Sequence, residues 1–528
     1  MKGIVLSLAI IFFLTAAIRL PLLSIPFERD EGAYAYIAWR LGHDELPYRD
    51  WVDQKPPGVY WVYRLALSLP LEPIRAVHFM GLLFTAASAG ALFFLARRFL
   101  RVSLACGVAL LFVALSADPW VEGTAANTEL FMLLPLILSQ LVFLAAVPAG
   151  RCRIPYMVLC GVLIGIAAGF KQVAALNWFL LVALYPVFAA GGNRLRGTLA
   201  FAAWSVLGAA WVWSFLIIYF YFQHGLADFI YNVFTHNLGY IQTESWAKRW
   251  GLCGHTLYGL VRTQALVWVF AAAGLVALGR TGRRKWLLFV AGWLVTSAMG
   301  VSASGFFYPH YFQQTLPVLA LAGVLGAEAL HGARFWRTLL AGWGRKVLLG
   351  MALLILPAIA ICPFIFSYTP KEAVQRIYPG NQFAEMPEIG RRLAQVTGPK
   401  DRVYIFGAEP EVLFYARRVS ATRYIFLFPL YGPYKDARLR QLLTAGEITD
   451  ARPAAALLLP NGFLFRSGTE QYLTKWSQSY IETNFRPVLY LTVDPDWNGR
   501  IVSSDDINAL SDPPGQRPVG MLGLRKIR

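Results

Sequence analysis

The chain has 528 residues, of which 57% are hydrophobic and 15% are charged, and its mean hydropathy is +0.49. This composition excludes an ordinary soluble protein and predicts several membrane-spanning helices. The formal net charge of +18 needs no nucleic-acid partner, because basic residues collect in the loops between the predicted spans.

Apolar segments long enough to cross a hydrocarbon core recur through the first 367 residues. We predict eleven spans, at 4–23, 74–96, 101–117, 129–147, 155–170, 173–190, 198–222, 258–279, 286–302, 311–330 and 347–367. The fifth and sixth meet in a tight turn, which leaves the count open at that point. The first is predicted to be a retained anchor, because it ends in Arg19-Leu20-Pro21-Leu22 without a small-residue cleavage site.

The orientation follows from loops that carry basic residues and no acids. These residues are Arg97, Arg98, Arg101, Arg151, Arg153, Arg194, Arg196, Arg280, Arg283, Arg284, Lys285, Arg334, Arg337, Arg345 and Lys346. The positive-inside rule places these loops in the cytoplasm. Thirteen acids of the membrane region fall on the opposite side: Glu28, Asp30, Glu31, Asp44, Glu45, Asp50, Asp53, Glu72, Asp118, Glu122, Glu129, Asp228 and Glu244. Their loops and the residues after 368 are therefore predicted to lie outside the cytoplasm.

The first outer loop, residues 24–73, holds two adjacent carboxylates near its start. The spacing of apolar residues over 30–42 predicts a short helix. Its aromatic residues are of the types that settle at lipid headgroup level, so we expect the helix to lie on the membrane surface. Asp30 and Glu31 then stand at the helix N-terminus, where the helix dipole favours ionised carboxylates. The alternative interpretation is that both acids only cap the helix.

Lys55 lies in the same loop, between Asp53 and the pair Pro56-Pro57. Paired prolines restrict the backbone, so Lys55 is expected to be held rigidly. A fixed ammonium at headgroup depth is a good partner for a lipid phosphate. The alternative is a lysine whose stem is buried and whose amine snorkels to the interface.

Further polar residues stand at the predicted outer ends of other spans. Glu122 and Glu129 bracket a polar break before the fourth span, Lys171 lies between the fifth and sixth, and His310-Tyr311 opens the tenth. Glu129 could equally cap its helix, and a single histidine is often a structural hydrogen-bond partner. We expect all of them on one face of the membrane.

These motifs resemble those of bacterial C-type glycosyltransferases, above all the dolichyl-phosphate-mannose–protein mannosyltransferases and the lipid A aminoarabinose transferases. The resemblance is carried by Asp30-Glu31, Tyr48-Arg49-Asp50, Lys55-Pro56-Pro57-Gly58, Asn127-Thr128-Glu129, Lys171-Gln172 and His310-Tyr311. It covers the membrane region and is most specific over residues 28–60. It implies a polytopic α-helical membrane protein of GT-C architecture, residues 1–368, followed by a periplasmic α/β domain, residues 369–528.

The resemblance also implies a reaction and a site. Asp30 would be the general base, with Glu31 and Glu129 as further catalytic residues, although Glu129 replaces the commoner Asp. Lys55 and Lys171 would bind the donor phosphate. Other site candidates are Glu122, Asp53, His310 and Tyr311. The donor would be a sugar on a polyprenyl phosphate, and the acceptor a hydroxyl of a glycan, lipid or protein at the periplasmic face of the inner membrane. No cofactor is required, and a divalent metal stays an alternative.

The residues after 368 alternate short apolar strands with helices. Strands are predicted at 402–406, 454–459 and 488–493, and helices at 409–417 and 472–483, which indicates a small α/β domain. Asp494-Pro495-Asp496 has the Asp-x-Asp form of nucleotide-sugar enzymes, but it lies in a proline turn and we expect no metal site there.

Two other functions fit the architecture. A polymerase or ligase that uses a pyrophosphate-linked oligosaccharide would need more basic residues on the outer face than Lys55 and Lys171. A transporter would be expected to show internal repeats and charges near the middle of the membrane. The sequence shows no such repeat, and its charges concentrate at one face, so both remain alternatives to the transferase.

Overall fold

The computed structural model of the chain describes residues 1–148, 153–191, 193–241, 245–332, 342–460, 470–506 and 516–526. Four residues used in the orientation argument, Arg151, Arg334, Arg337 and Glu244, lie outside these ranges.

Helices dominate the first part of the chain. In order they are α1 Lys2–Arg19, α2 Arg29–Leu41, α3 Gly58–Ala66, α4 Pro73–Ala96, α5 Val102–Ser116, α6 Thr128–Ala146, α7 Ile154–Ala168, α8 Leu176–Phe188, α9 Arg194–Phe222, α10 Leu226–Ile230, α11 His236–Tyr240, α12 Trp246–Arg280, α13 Arg284–Ser302, α14 Leu316–Gly332 and α15 Gly342–Phe366. Short 3₁₀ turns precede α8 and α14, at Gln172–Ala175 and Pro309–Thr315.

In the described part of the chain, eight helical stretches are long and apolar enough to cross a membrane. They are Lys2–Leu22, Pro73–Ala96, Thr128–Ala146, Arg194–Phe222, Trp246–Arg280, Arg284–Ser302, Pro309–Gly332 and Gly342–Phe366. Three shorter apolar helices, Val102–Ser116, Ile154–Ala168 and Gln172–Phe188, occupy the third, fifth and sixth predicted positions. The chain is therefore a multi-pass membrane protein. The total of eleven crossings stays a prediction, because the shorter helices fall below the usual spanning length.

Small residues let several of these helices pack backbone to backbone. A Cβ atom added at Gly326 of α14 would lie 1.8 Å from the carbonyl oxygen of Phe270 on α12. At Gly161 of α7 it would lie 1.8 Å from the carbonyl oxygen of Ser205 on α9. Since apolar lipid gives no hydrophobic drive to helix association, such close van der Waals contact holds the membrane helices together.

The C-terminal region comprises residues 370–526, and within its described residues six strands form one sheet with helices around it. Its helices are α16 Pro370–Ile377, α17 Met386–Val396, α18 Pro410–Ala416, α19 Ala437–Ala451 and α20 Tyr472–Asn484. Its strands are β1 Arg402–Phe406, β2 Val419–Ser420, β3 Ala455–Leu458, β4 Phe485–Val493, β5 Gly499–Ser503 and β6 Arg517–Arg525. The sheet order is β2-β1-β3-β6-β4-β5, parallel from β2 to β3 and antiparallel beyond it.

The three strands predicted for this region are present as β1, β3 and β4, and the two predicted helices are present as α18 and α20. The sequence analysis missed β2, β5 and β6. Strand β2 has only two residues, and β6 contains Pro518 and two glycines, so none of the usual apolar alternation marks them. The predicted small α/β layer is nevertheless what the chain forms.

Helix α2 is enclosed between the membrane helices and the C-terminal region. Tyr34 is 1% exposed and Tyr36 is 0% exposed, and both belong to a core shared with residues such as Ile389 and Leu413. The Ser420 amide donates to Tyr36 Oη over 3.0 Å. These two tyrosines, expected at headgroup level, are therefore core residues, because the C-terminal region folds back onto α2. The domain boundary after residue 368 stays a prediction.

Candidate active site

A cavity of about 250 Å³, here called the first cavity, lies between the first outer loop and the C-terminal region. Six residues predicted from the sequence line it: Asp30, Asp53, Lys55, Glu122, His310 and Tyr311. They come from four separate segments of the chain. The fold thus brings these candidates together, as the sequence analysis expected from their common face.

The start of α2 directs Asp30 toward this cavity. Glu28 is the N-cap residue, and its carboxylate accepts hydrogen bonds from the amides of Asp30 at 2.9 Å and Glu31 at 3.1 Å. Glu31 returns a bond by accepting from the Glu28 amide over 3.4 Å, which completes a capping box. Glu28 therefore satisfies the helix terminus, and the Asp30 carboxylate is left for other contacts.

Lys55 and Asp30 form an ion pair at the edge of the first cavity. Lys55 Nζ donates to Asp30 Oδ2 over 2.9 Å and to Tyr34 Oη over 2.9 Å. The Lys55 carbonyl is fixed in turn, since it accepts from Tyr48 Oη at 2.6 Å and Tyr60 Oη at 3.3 Å. Both ionisable side chains keep some exposure, 15% for Lys55 and 33% for Asp30.

Charge pairing decides the ionisation of these groups. Burial raises the pKa of Asp30, but Lys55, His310 and Arg29 together outweigh burial and lower that pKa to about 2, with Lys55 the largest of the three. Burial lowers the pKa of Lys55, but the carboxylates of Asp30 and Asp53 outweigh it, so the net shift is upward. The pair is an anion and a cation at neutral pH. Glu28 differs, because burial and the neighbouring acids raise its pKa to about 8.

Glu31 lies away from the cavity. It is 2% exposed, and its Oε1 accepts from the Ala126 amide at 2.7 Å and lies 2.9 Å from His78 Nε2. Glu31 thereby ties α2 to α4 and to the loop before α6. Glu31 does not line the first cavity, and its carboxylate contacts protein groups instead.

Asp53 borders the first cavity but is only 2% exposed. Its Oδ2 accepts from Tyr60 Oη over 2.7 Å and its Oδ1 from the Gln54 amide over 2.6 Å. These bonds fix the turn that carries Lys55. Burial raises the pKa of Asp53, although Lys55 opposes the shift.

Glu122 and His310 form a second pair on the cavity wall. His310 Nδ1 lies 2.6 Å from Glu122 Oε2, and the Tyr308 ring stacks on the imidazole at 5.8 Å between centroids. Glu122 has a left-handed backbone with φ of 50°, which is uncommon for a residue with a side chain and is often found at functional sites. The carboxylate orients the histidine ring against the cavity.

Glu129 and Lys171 form a third pair, next to the first cavity. The Glu129 side chain is 1% exposed and accepts from Lys171 Nζ and from Thr128 Oγ1. Lys171 Nζ lies 3.4 Å from the centroid of the Tyr311 ring. Burial lowers the pKa of Lys171, while Glu129 opposes that shift.

A second cavity, also of about 250 Å³, contains Lys171 and meets the first cavity. The two cavities share Gln54, Lys55 and Tyr311. The second cavity is otherwise walled mainly by apolar residues, among them Val173, Val233, Phe234, Leu238 and Ile241. Lys55 therefore stands where a charged cavity joins an apolar one.

The sequence analysis missed the residues of α11 and of the C-terminal region that line the first cavity. They are His236 from α11, Tyr378, Asn381 and Phe383 after α16, and Phe426, Phe428, Pro429, Tyr431 and Tyr434 before α19. Arg29 ties them to α2, since it pairs with Glu409 at 3.2 Å and lies over the rings of Phe383 and Phe428. No local motif marks these residues. Their aromatic density in two short loops was the available signal.

In the described residues, no group of three or more His, Cys, Asp or Glu side chains is arranged to hold a metal ion. Asp494 lies in an exposed turn, where its carboxylate accepts from the Asn498 amide and side chain at 2.8 Å each. This Asp-x-Asp segment does not line either cavity described above.

One family model matches part of the chain. Residues 54–218 match the model described as dolichyl-phosphate-mannose-protein mannosyltransferase. No curated protein matches the chain by sequence.

Several solved structures share the fold over nearly the whole chain. ArnT from Cupriavidus metallidurans bound to undecaprenyl phosphate is 16% identical, with a TM-score of 0.58 over 95% of this chain and 97% of that one. AglB from Archaeoglobus fulgidus, in complex with an inhibitory peptide and a dolichol-phosphate, is 12% identical, with a TM-score of 0.54 over 98% and 75%. The arabinofuranosyltransferase AftD from Mycobacteria is 15% identical, with a TM-score of 0.52 over 100% and 40%.

At these identities the structural likeness shows the fold. Together with the family match, it confirms the predicted resemblance to GT-C membrane glycosyltransferases.

Proposed function

We propose that the chain is a glycosyltransferase that moves a sugar from a polyprenyl monophosphate to an acceptor hydroxyl in one inverting step. The observation that carries this proposal is the ion pair of Lys55 and Asp30, 2.9 Å long, at the junction of the two cavities. The reaction would take place on the periplasmic side of a bacterial inner membrane, where the acidic loops are predicted to lie.

The donor would approach through the second cavity. Its apolar wall suits the isoprenoid chain of a lipid, and the shared residue Lys55 suits the phosphate at the end of that chain. Two of the similar structures hold such lipids, undecaprenyl phosphate in ArnT and a dolichol-phosphate in AglB. The sugar would then extend from Lys55 into the first cavity.

The phosphate would also activate the base. In the structure the Lys55 ammonium holds Asp30 as a weakly basic carboxylate. A phosphate that binds Lys55 competes with Asp30 for the same ammonium, so the carboxylate regains basicity when the donor is in place. Asp30 then takes the proton of the acceptor hydroxyl, a role worth about 10²–10⁴ in rate.

The bond changes balance in one step. The acceptor oxygen attacks the anomeric carbon as its proton passes to Asp30, and the bond from that carbon to the phosphate oxygen breaks. The departing polyprenyl phosphate keeps the electron pair, and Lys55 stabilises its added charge. Because Lys55 supplies this positive charge, we propose that the step needs neither a cofactor nor a divalent metal.

The remaining candidates would support this step. Glu31 positions α2, Asp53 fixes the turn of Lys55, and Glu122 with His310 lines the cavity where substrate groups would bind. Glu129 and Lys171 neutralise each other beside Tyr311, so we assign Lys171 to the wall of the lipid cavity and only a minor share of phosphate binding.

The distribution of cations supports a monophosphate rather than a pyrophosphate donor. Among the described residues that line the two cavities, the lysines and arginines are Arg29, Lys55 and Lys171. Arg29 pairs with Glu409 and Lys171 pairs with Glu129, so a second phosphate would lack a cation of its own.

Lipid profiling tests the proposed donor. A strain that lacks the chain, complemented with either the parent or Asp30→Asn, would be analysed for lipid-linked sugars and for glycosylated products. In the strain that carries Asp30→Asn instead of the parent chain, we expect a polyprenyl monophosphate sugar to accumulate and one glycan modification to disappear. Accumulation of a pyrophosphate-linked oligosaccharide, or no change in any lipid-linked sugar, would contradict the proposal.

A further inference from the structure

The first cavity has two unlike halves. The half formed by the membrane region carries charged groups, among them Asp30, Lys55 and Glu122. The half formed by His236 and the C-terminal loops is lined by aromatic rings, one amide and one proline, with no Asp, Glu, Lys or Arg among its described residues. A ligand that fills the cavity therefore meets charge at one end and neutral aromatic surface at the other.

Two polar groups of the neutral half lack hydrogen-bond partners among the described residues. His236 is 3% exposed, and its Nδ1 atom is buried without a partner. The buried hydroxyl of Tyr378 is also without one. A buried polar group left unpaired is destabilising, so two at one cavity point to a ligand that supplies the missing bonds.

The imidazole of His236 is uncharged at neutral pH. Burial, with Arg440 nearby, lowers the pKa of His236 to about 4. Its ring lies against that of Tyr434, at 4.7 Å between centroids and 34° between planes. A neutral imidazole can donate from one nitrogen and accept at the other, as a hydroxyl-rich ligand requires.

The surrounding rings offer flat apolar faces. Phe426 and Tyr431 come from one loop of the C-terminal region, and Tyr378 comes from another. In the first loop Arg29 lies over the ring of Phe428 and Arg440 over that of Tyr434. A pyranose ring has an apolar face of C–H groups that packs on such rings, and hydroxyls at its rim that reach polar partners. A peptide would present unpaired backbone amides and carbonyls, for which this wall holds few partners.

We propose that the C-terminal region completes the first cavity as a saccharide site, in which His236 and Tyr378 bond the hydroxyls of a neutral sugar ring and the aromatic wall packs on its face. The inference rests on the proposed function for the lipid that brings a donor sugar, but the saccharide contact stands on these residues alone. The bound ring is either the acceptor saccharide or the donor sugar.

Saturation-transfer NMR on the purified full chain tests the site. The probes are the methyl pyranosides of glucose, mannose, galactose and N-acetylglucosamine, with a short serine-containing peptide as the rival ligand. We expect saturable binding of at least one pyranoside, weakened about threefold to tenfold by Tyr378→Phe and by His236→Phe, since each removes one hydrogen bond. Both changes keep the ring, so the fold should be retained.

Tyr490→Phe is the matched control, because Tyr490 lies in β4 and does not line the cavity. It should bind as the parent does. Pyranoside binding is measured without a lipid donor and needs no transfer, which separates failure of the saccharide site from failure of the proposed transfer. The inference would be overturned if no pyranoside bound saturably, or if Tyr378→Phe and His236→Phe bound the pyranoside as tightly as the parent does. Binding of the peptide alone would overturn it as well.

A competition arm identifies the source of the sugar. Undecaprenyl phosphomannose would displace the pyranoside if the ring sits in the donor position, whereas undecaprenyl phosphate without sugar would not. If neither lipid displaces it, the pyranoside marks the acceptor position. Either result supports the saccharide site and assigns its occupant.

Discussion

At the scale of single residues, Asp30 and Lys55 form an ion pair, and this pairing determines what each substitution measures. The Asp30 carboxylate accepts from Lys55 Nζ and, more weakly at 3.3 Å, from Tyr34 Oη. Replacing either partner therefore removes one group and releases the other, and the two variants should fail in different ways.

Asp30→Asn should abolish transfer while leaving donor binding equal to the parent or tighter. The amide cannot take the acceptor proton, and it no longer competes for the Lys55 ammonium. Turnover and donor affinity would be measured separately on purified protein. Asp494→Asn, in an exposed turn, is the matched control and should behave as the parent. Near-normal turnover in Asp30→Asn would disprove the role of the base.

Lys55→Ala should weaken binding of a polyprenyl-phosphate sugar and slow its transfer, because a phosphate partner is lost in the ground state and in the transition state. Lys55→Arg should recover only part of either quantity, since the planar guanidinium cannot occupy the position of the ammonium. Lys400→Ala, at an exposed residue that lines neither cavity, is the control.

Lys55→Ala should also change the pH dependence of the reaction. Lys55 lowers the pKa of Asp30, and a base acts only when it is ionised, above its pKa. Removal of Lys55 should therefore raise that pKa in the free enzyme and move the acidic limb of the kcat/KM profile to higher pH. An unshifted limb, or unchanged binding and transfer, would show that Lys55 is only an interfacial lysine.

The sequence could predict this pair but not the direction of its neighbour Glu31. Asp30 and Lys55 stood out because charge near a membrane is rare and paired prolines fix the chain. Glu31 is adjacent to Asp30 on a helix and so must point about 100° away from it, toward a different element. Glu31 contacts His78 and Asp30 contacts Lys55 because of the way α4 packs against α2. No local sequence pattern predicts that packing.

At the scale of elements, α2 and α18 touch where Gly32 faces Glu411. A Cβ atom added at Gly32 would lie 2.4 Å from Glu411 Cβ and 2.7 Å from its Cα. These are atoms next to or within the backbone, so the clash cannot be relieved by a side-chain rotation. The close packing of the C-terminal region against α2 therefore depends on this glycine.

Gly32→Ala should lower both the stability and the activity of the protein, because α18 must move away from α2. Overpacking of this kind typically costs about 1–3 kcal/mol. Gly254→Ala, inside α12 with nothing within 4 Å of the added atom, is the control and should be neutral or stabilising. Thermal unfolding and transfer assays would be compared. Equal melting temperature and activity in Gly32→Ala would contradict the close seating.

The pair of Glu129 and Lys171 joins the start of α6 to the turn before α8. Lys171→Met should destabilise the protein by about 3–5 kcal/mol, because it leaves a buried carboxylate without its partner. The double variant Glu129→Gln with Lys171→Met should recover most of that stability. Unfolding in denaturant would measure both.

The activity of the double variant then separates the two roles of the pair. Recovery of transfer along with stability would make the pair structural. Stability without transfer would give the pair, through Glu129 or Lys171, a direct share in the reaction. A single variant Lys171→Met that unfolds like the parent would contradict the predicted cost of the unpaired glutamate.

The sequence predicted that Glu129 and Lys171 would face the same side, but not that they would neutralise each other. They are 42 residues apart, on segments joined by α7. Their contact depends on the conformation of the turn between the fifth and sixth apolar segments. At that turn the sequence left the number of membrane spans open.

At the scale of the whole molecule, one hydrophobic core runs from the membrane helices into the C-terminal region. It includes Tyr60 and Phe131 on one side and Val403 and Leu522 on the other. The sequence separated the two parts by composition, because hydropathy falls after residue 368. Composition could not show that aromatic residues of the first outer loop would be buried by the later part, since this depends on tertiary folding.

The orientation of the whole chain is the last prediction. The described basic loops, with residues such as Arg97, Arg194 and Arg284, alternate with the segments that build the two cavities. Since basic loops stay in the cytoplasm, the site should open on the opposite side, where lipid-linked sugars replace nucleotide sugars as donors. Reporter fusions after Arg284 and after Arg528 should therefore indicate the cytoplasm and the periplasm respectively. The same compartment for both fusions would invalidate the topology, and with it the supply of donor that the proposed reaction requires.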